Sequence, residues 1–228
     1  MNNIIELHKI GKIYRGSIDV QVLFDIELIF ETGSFNSIVG QSGSGKTTLL
    51  NIIGTLDQPT GGEVIIDDRR TDTMSKDKLA ELRNEVIGFI FQFHFLLPEF
   101  TAMENVLMPY WIKRSQTTEN IRQRADELFD LVGISKVKNN LATRMSGGQQ
   151  QRTAIIRALI NNPKIILADE PSGNLDSENT ESIYKTFRNI NQEFGTTFII
   201  VTHDRRIAEQ TDRIVEIRDG RIALDIKR

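Results

Sequence analysis

The sequence predicts an α/β domain in which helices cover a mostly parallel sheet. Short runs rich in Ile, Val and Leu recur along the chain, for example at 35–39, 165–168 and 197–201, and have the composition of buried strands. Segments with apolar residues at 3.6-residue spacing separate these runs, as at 119–132. A glycine-rich loop at 40–47 lies between a predicted strand and a predicted helix, where α/β domains carry such loops.

The predicted elements follow one another along one continuous domain. Strands are predicted in the opening third and again after a helical stretch, at 4–10, 22–30, 35–39, 62–67, 86–91, 165–168 and 197–201. A helix over 47–56 ends at a Pro-Thr-Gly-Gly segment. From about 92 to 161 the pattern is helical, with helices over 119–132 and 147–161 and with Ser146 as the N-cap of the second. A length of 228 residues suits one domain interrupted by a helical insert.

Composition and charge exclude several classes of protein. Because the chain has no cysteine, it has no disulfide, zinc–thiolate site or cysteine nucleophile. A net charge of -3 disfavours a nucleic-acid-binding protein, which usually carries a basic excess. The first residues lack the features of a signal peptide, and no apolar run approaches the roughly 20 residues that span a bilayer as a helix. We therefore expect that work at a membrane requires a separate membrane protein.

The loop at 40–47 matches the pattern G-x-x-x-x-G-K-[ST] of phosphate-binding loops. Its glycines let backbone N–H groups approach phosphates closely, and the start of the following helix adds a positive dipole end. Lys46 places a cation against the β- and γ-phosphates, and Thr47 offers a hydroxyl to Mg²⁺. The predicted nucleotide-binding residues of this loop are Gly40, Gln41, Ser42, Gly43, Ser44, Gly45, Lys46, Thr47 and Thr48.

Two carboxylates, Asp169 and Glu170, follow the apolar strand at 165–168. Sites in open α/β sheets lie at the carboxyl ends of the strands, so this pair is expected near the phosphate loop. Asp169 suits Mg²⁺, through a water, and Glu170 suits the polarisation of an attacking water. An ordinary acidic loop after a buried strand is the structural alternative, and the phosphate loop makes it the weaker one.

Residues 145–152, Met-Ser-Gly-Gly-Gln-Gln-Gln-Arg, resemble the signature sequence of ABC (ATP-binding cassette) ATPases, read in that family as L-S-G-G-Q. Further matches follow in the family's order. They are Tyr14 at the adenine-stacking aromatic, Gln92 at the Q-loop, Asn174-Leu175-Asp176 at the D-loop and His203 at the switch histidine. On these motifs the chain is identified as a member of the ABC ATPases. Met145 replaces the usual leucine, and we expect little effect because both are apolar and similar in size.

The resemblance implies a P-loop NTPase (RecA-like) core with an N-terminal antiparallel β subdomain and an inserted α-helical subdomain. It divides a single domain of residues 1–228 into a nucleotide-binding core at 1–92 and 162–228 and a helical subdomain with the signature motif at 93–161. It also implies ATP and Mg²⁺ as cofactors.

In ABC ATPases two subunits pair head to tail, so the resemblance implies a homodimer. Each signature, Ser146, Gly147, Gly148 and Gln149, would cap the nucleotide held by the partner, because a helix start offers N–H groups and a positive dipole end. Asp176 would link the two sites. The catalytic residues implied are Glu170, His203, Lys46 and Gln92, the metal ligands are Thr47, Gln92 and Asp169, and Tyr14 joins the nucleotide-binding set.

Several single residues have structural alternatives. Tyr14 taken alone fits core packing as well as adenine stacking. His8 and His94 belong to no motif and are expected to be structural or at the surface. The arginines near the signature are expected to be solvated or paired and not catalytic: Arg144, Arg152 and Arg157.

The stretch 91–106, extended by Met108, Tyr110 and Trp111, is unusually apolar for a loop after a strand. It fits either core packing beneath the helical insert or an exposed docking groove. In ABC transporters this region receives a coupling helix of the membrane subunit. The sequence of 91–94 together with 97–102 is similar to the lipoprotein-releasing ATPases of bacteria. The sequence of 169–176 resembles the same group and its macrolide-efflux and cell-division relatives, which mostly have threonine where this chain has Ser172.

Three function classes follow. The favoured one is the ATP-hydrolysing motor of a bacterial ABC transporter of the lipoprotein-release or efflux type, peripheral at the cytoplasmic face of the inner membrane, with integral membrane subunits as partners. The second is an ATP-gated scaffold of a membrane complex, as in cell division. The third, a soluble ABC protein of DNA repair or translation, is disfavoured because the chain has no coiled-coil insert, second cassette or basic excess.

Overall fold

The computed structural model describes residues 2–114, 116–173 and 176–228. The strands are β1 Asn3–Tyr14, β2 Val20–Glu31, β3 Phe35–Val39, β4 Gly61–Ile66, β5 Arg69–Arg70, β6 Ile87–Phe91, β7 Ile165–Asp169, β8 Thr197–Val201, β9 Arg213–Arg218 and β10 Arg221–Lys227. The α-helices are α1 Lys46–Ile53, α2 Lys76–Val86, α3 Ala102–Lys113, α4 Glu119–Leu131, α5 Gly147–Leu159, α6 Ser177–Phe194 and α7 Arg205–Ala208. Short 3-10 helices cover Ser135–Val137 and Ala142–Arg144.

The strands form two sheets, and this arrangement confirms the predicted fold class. The larger sheet has the order β10-β9-β3-β8-β7-β6. Its neighbours from β9 to β6 pair in parallel, and β10 closes one edge in antiparallel pairing with β9. The smaller sheet, β2-β1-β4-β5, is antiparallel and comes from the first third of the chain.

The burial of the strands follows from their layer in the fold. All five residues of β8 are buried, as expected for a central parallel strand with both faces covered. In β2 the burial alternates between neighbouring residues, because one face of the small sheet packs on the core and the other meets solvent. The interior forms two apolar clusters, one between the small sheet, α1 and the large sheet, the other beneath α3, α4, α5 and α6.

The predicted helices over 119–132 and 147–161 correspond to α4 and α5, and the predicted N-cap of α5 is confirmed. The Ser146 hydroxyl accepts from Gln149 N, and the Gln149 side chain in turn accepts from Ser146 N. The predicted helix over 47–56 ends earlier, at Ile53, because the chain reverses at Thr55, whose φ is 54°. The boundaries proposed for the helical subdomain stay a prediction.

Helices α2 and α7 and strands β5, β9 and β10 were not predicted. Helix α2 precedes β6 and buries only Leu79, Leu82 and Val86, so its pattern is weak. The antiparallel pair β9 and β10 has a largely exposed second strand whose polar content hides the strand signal.

Among the described helices, none has the length and hydropathy that crossing a membrane requires.

Candidate active site

Strand order brings the predicted site residues together. Strands β3, β8, β7 and β6 are consecutive neighbours and run in parallel, so their carboxyl ends share one edge of the sheet. The phosphate loop follows β3, and His203 follows β8. Asp169 ends β7 with Glu170 next to it, and Gln92 comes directly after β6. Residues separated by more than 150 positions therefore face one crevice, which is where open α/β sheets bind ligands.

The phosphate loop depends on its glycines at two positions. Gly40 has φ 150°, and a side chain there would place its Cβ 2.2 Å from the Ile217 carbonyl oxygen. Gly45 has φ 104°, forms the N-cap of α1, and would meet Leu23 at 2.8 Å. These two positions are closed to any residue with a Cβ, which explains why the motif has glycine as its first and sixth residues.

Lys46 is buried at the start of α1 and holds the loop in shape. Its Nζ donates to the carbonyl oxygens of Gly40 at 2.9 Å and Gln41 at 2.7 Å. The Ser44 hydroxyl is buried without a hydrogen-bond partner among the described residues. The hollow beside the loop is about 80 Å³ and is lined by residues 41–44 and 216–219. A buried free hydroxyl, a cation and the first N–H groups of a helix together fit a phosphate.

Asp169 lies in an environment that suits a cation. Burial, and then the charge of Glu170, raise the pKa of Asp169, while the adjoining Thr47 hydroxyl and the Lys46 ammonium act in the opposite direction. A carboxylate and a hydroxyl side by side are oxygen donors of the kind that Mg²⁺ prefers. The described residues contain no cluster of three or more His, Asp or Glu side chains that could hold a metal by themselves. The Asp169 carboxylate and the Thr47 hydroxyl are therefore the donors that fit a metal ion beside the phosphate loop.

Glu170 adopts a left-handed backbone conformation with φ 44°. Its N–H donates to the Val201 carbonyl at 3.0 Å, which fixes the turn after β7 to the end of β8. His203 Nδ1 lies 3.1 Å from Glu170 Oε1, and the His203 side chain is exposed. A left-handed non-glycine residue costs energy, so the fold holds Glu170 in place through this turn.

Gln92 reaches the same crevice from β6. Its side chain lies against Gly173, where an added Cβ would stand 2.6 Å from Gln92 Nε2. Gly173 therefore leaves room for this amide beside the turn that carries Glu170. Four predicted catalytic side chains, Lys46, Gln92, Glu170 and His203, thus lie around the carboxyl ends of adjacent strands.

The signature segment lies at a different cleft. This signature cleft, of about 340 Å³, is lined by Ser146, Gly147, Gly148, Gln149, Arg152, Asp176 and Asn179. Helices α5 and α6 both begin at it, with Ser146 and Asp176 as their N-caps. Asn179 donates its N–H and its side-chain amide to Asp176, and its Oδ1 would meet a Cβ on Gly148 at 3.3 Å. Asn174 and Leu175 of the predicted D-loop lie outside the described residues.

Tyr14 is separate from both clefts. It ends β1 with 44% of its surface exposed, and its hydroxyl donates to Asp57 Oδ2 at 2.9 Å. The Lys12 ammonium, which also binds Asp57, lies 4.8 Å from the ring centre. The ring is not part of the core, so the core-packing alternative is wrong, and a stacking role in nucleotide binding stays a prediction.

The apolar stretch 91–106 divides into two parts. Phe93, Phe95 and Leu97 are exposed, whereas Ala102, Met103 and Val106 are buried in the cluster beneath the helices. Core packing is thus confirmed for the second half, while the first half is exposed and its docking role stays a prediction. Next to the exposed half lies an open apolar groove of about 430 Å³, the docking groove, lined among others by Leu56, Phe89, Phe91, Pro109 and Ile112.

Sequence reasoning missed contacts that support the site. Asp57 and Lys12, which hold Tyr14, carry no motif, and Asn179 has no local signal beyond its place one turn after Asp176. Arg157 was expected to be solvated or paired and not catalytic, and its guanidinium binds the backbone of the loop that follows Gln92. His8 lies at the surface beside Glu6 and Glu27.

A parallel sheet with a phosphate loop after one strand and a carboxylate pair after another defines an ATPase of the P-loop class, and the signature cleft narrows the class further. The chain belongs to the ABC transporter family of ATP-binding proteins, whose sequence model, described as ABC transporter, matches residues 23–173. It is therefore an ABC ATPase.

Several relatives of the chain are ATP-binding proteins of lipoprotein-releasing systems. The chain is 48% identical to the lipoprotein-releasing system ATP-binding protein LolD 1 of Rhodopseudomonas palustris over 98% of this chain and 100% of that protein. It is 46% identical to LolD of Anaeromyxobacter dehalogenans over 97% of this chain and 93% of that protein. The resemblance to lipoprotein-releasing ATPases is thus confirmed.

Solved structures share the fold over the whole chain. A dimeric, post-hydrolysis ATP-binding cassette, MJ0796 bound to ADP and phosphate, superposes with a TM-score of 0.90 at 42% identity, covering 98% of both chains. CbiO1 of Clostridium perfringens, part of the ABC transporter complex CbiONQ, superposes with a TM-score of 0.89 at 27% identity, covering 100% of this chain and 89% of that one.

Proposed function

We propose that this chain is the ATP-hydrolysing motor of a bacterial inner-membrane transporter of the lipoprotein-release or efflux type. In this proposal two copies form an ATP-bound dimer that docks on separate membrane subunits at the cytoplasmic face. The observation that carries it is the presence of two separate phosphate-type cradles on one chain, the phosphate loop and the signature cleft.

The second cradle needs a ligand, and the phosphate loop of a second copy supplies it. Two helix N-termini converge at the signature cleft, and the Ser146 hydroxyl and the N–H groups of Gly147 and Gly148 lie at the start of α5. A two-fold dimer would place each signature over the partner's nucleotide and create two equivalent sites. That MJ0796 forms a dimer with ADP and phosphate supports this arrangement.

Within one subunit we assign the chemistry by position. Glu170 acts as the base that polarises the attacking water, and His203, 3.1 Å from it, holds it and contacts the γ-phosphate. Lys46 stabilises charge on the phosphates, and Gln92 lies beside the same turn. Thr47, Gln92 and Asp169 would hold Mg²⁺, which would neutralise negative charge on the phosphates. Tyr14 would stack on the adenine.

The docking groove fits an apolar helix of the membrane subunit. Its lining is predominantly apolar, and Ile112 and Leu56 stand exposed at its rim by 76% and 50%. Exposed apolar side chains that gather in a groove are typical of binding sites for a ligand or a partner. The structural neighbour CbiO1 belongs to a transporter complex, and the LolD relatives are named for a lipoprotein-releasing system, which supports a membrane partner of this kind.

The test is purification of the tagged chain from gently solubilised membranes, followed by mass spectrometry. We expect a membrane subunit with a large extracytoplasmic domain to come with it. Ile112→Glu should abolish this co-purification, and Ile18→Glu, an equally exposed site in the loop between β1 and β2, should not. If both variants still co-purify with the membrane subunit, or if neither does, the groove is not the docking site.

The alternative, an ATP-gated scaffold, shares every feature of the site and differs only in the partner's task. Reconstitution of the complex in vesicles separates the two. ATP-dependent release of a lipidated protein or export of a drug supports the transporter, and ATPase activity without either supports the scaffold.

A further inference from the structure

The loop after β6, residues 92–97, lies between the active site and the docking groove. Its first residue, Gln92, lies against Gly173 beside the Glu170 turn, while Phe93 and Phe95 are exposed by 62% and 65%. Phe95 has φ 46°, a left-handed conformation that an L-residue adopts only when something holds it. The position of Gln92 therefore depends on what fixes the backbone that follows it.

Arg157 of α5 supplies that fixation. Its guanidinium donates to the Phe95 carbonyl at 2.6 Å and to the His94 carbonyl at 2.7 Å. The side chain is largely buried, and burial lowers the pKa of Arg157. Across residues 2–114, 116–173 and 176–228, no carboxylate forms an ion pair with it. Two peptide carbonyls thus hold a buried charge, and the rigid fork of arginine suits two neighbouring acceptors.

The helix that carries Arg157 also carries the signature. Helix α5 starts at Ser146, and Arg157 lies eleven residues further, roughly 16 Å along the axis at about 1.5 Å per residue. The same helix packs on β6 backbone to backbone, since a Cβ on Gly88 would stand 2.5 Å from the Ala158 carbonyl oxygen. The contact at Gly88 and the two bonds of Arg157 join one end of α5 to β6 and to the loop after it.

We propose that Arg157 is a positioning residue that ties the Gln92–Phe95 backbone to the signature helix, so that engagement of the signature by a nucleotide changes the position of Gln92. This proposal rests on the proposed function, because the ligand of the signature is the nucleotide held by a second copy. Arg157 acts through Gln92, because its guanidinium binds the backbone of the loop that follows Gln92.

Arg157→Lys tests the tether, with Arg124→Lys as the matched control. Arg124 also donates to two backbone carbonyls, those of Leu159 and Ile160, and is also partly buried, but it does not contact the loop. Arg157→Met, which keeps an unbranched chain without the charge, replaces the lysine variant if that variant unfolds. The readouts are hydrogen exchange of the amides of residues 93–97, the melting temperature, and kcat and KM for Mg-ATP.

We expect exchange at 93–97 to rise at least tenfold in Arg157→Lys and to stay within twofold of the parent in Arg124→Lys, at similar losses of melting temperature. The value of kcat should fall about tenfold with KM within twofold, because Gln92 is displaced while the phosphate loop is intact. Equal exchange in the two variants, or faster exchange with an unchanged kcat, would overturn the proposal.

A second arm uses Glu170→Gln with excess Mg-ATP and separates this proposal from the proposed function. Light scattering reports the dimer, and hydrogen exchange reports the loop. With dimer present, the loop should gain protection when Arg157 is intact and lose that gain in Arg157→Lys; an equal gain in both would refute the coupling. If Glu170→Gln with Arg157 intact forms no dimer, the proposed function fails, and so does the proposed coupling between the signature and Gln92. The comparison of Arg157→Lys with Arg124→Lys still tests whether Arg157 holds the loop.

Discussion

His203 Nδ1 lies 3.1 Å from Glu170 Oε1, although the two residues follow different strands. The contact exists because β7 and β8 are neighbours in parallel register, with Asp169 opposite Val201. The Glu170 N–H also donates to the Val201 carbonyl, so a backbone hydrogen bond holds the ends of β7 and β8 together. Strand pairing thus orients the proposed base and its neighbour, which is the arrangement expected of a preorganised site.

Replacing Glu170 by glutamine should stop turnover and retain ATP between two subunits. The amide keeps the size of the side chain but cannot take a proton, so we expect kcat to fall by about 10²–10⁴. Size-exclusion light scattering with excess Mg-ATP should show a dimer. Glu193→Gln, an exposed site at the end of α6, is the control and should remain a turnover-competent protein. A strictly monomeric Glu170→Gln protein would contradict the composite site.

Lys46→Ala should abolish nucleotide binding or turnover. The change removes a cation from the phosphates and also the two bonds to Gly40 and Gln41 that shape the loop. We expect the affinity for ATP to fall at least about 100-fold, the scale of two charge-assisted hydrogen bonds. Titration of a fluorescent ATP analogue measures it. Lys164→Ala, which breaks only a surface ion pair with Asp67, should bind normally, and wild-type hydrolysis by Lys46→Ala would contradict the assigned role.

Asp169→Asn should make the ligand-free protein more stable while it impairs Mg²⁺-dependent activity. Burial raises the pKa of Asp169, so its charged form is held at a cost in the folded chain. Ionisation of this group opposes folding, and the loss of stability begins as pH rises through the unfolded pKa and is complete above the folded one. Asparagine removes that loss. A chain of this size gains about 2–4 °C in melting temperature for each kcal/mol.

The control for this prediction is to measure both melting temperatures again at low pH. At a pH below both pKa values the parent carboxyl is protonated, so the two melting temperatures should converge there. A variant that melts lower than the parent at neutral pH would show that Asp169 is satisfied in the ligand-free protein.

Two changes at Tyr14 separate its ring from its hydroxyl. Tyr14→Phe removes only the bond to Asp57 and should leave the affinity for ATP within about twofold. Tyr14→Ala removes the stacking surface, and stacking of an aromatic ring on a base is worth about 1–3 kcal/mol. We therefore expect a weakening of roughly 5- to 150-fold by isothermal titration. Unchanged affinity in Tyr14→Ala would leave the residue with a purely structural role.

Ser146→Ala tests the signature cleft in the Glu170→Gln background. It removes the N-cap of α5 and should cost about 1 kcal/mol of stability. Thr118→Ala removes the equivalent side-chain bond at the N-cap of α4 and is the matched control. Analytical ultracentrifugation should show a dimer weakened about tenfold in the first variant only. Equal dimerisation in both would remove Ser146 from the interface.

The sequence alone determined the class of fold and indicated most of the residues that lie at the candidate site. Strand runs, helical spacing and the N-cap at Ser146 are local signals, because each depends on residues within a few positions of one another. The phosphate loop could be predicted for the same reason, because eight consecutive residues form it and its glycines allow the backbone path that it needs. Helix α2 and the strand β10 gave no such signal, as few of their side chains are buried.

Only the tertiary structure decided which of these residues lie together. The order β3-β8-β7-β6 is not a local property, yet it alone joins Lys46, His203, Glu170 and Gln92 at one edge. The tertiary structure also showed that one half of the apolar stretch at 91–106 is buried and the other half is exposed. Arg157 shows the reason most clearly: its partners are two backbone carbonyls 62 and 63 positions away, and a backbone acceptor leaves no mark in the sequence.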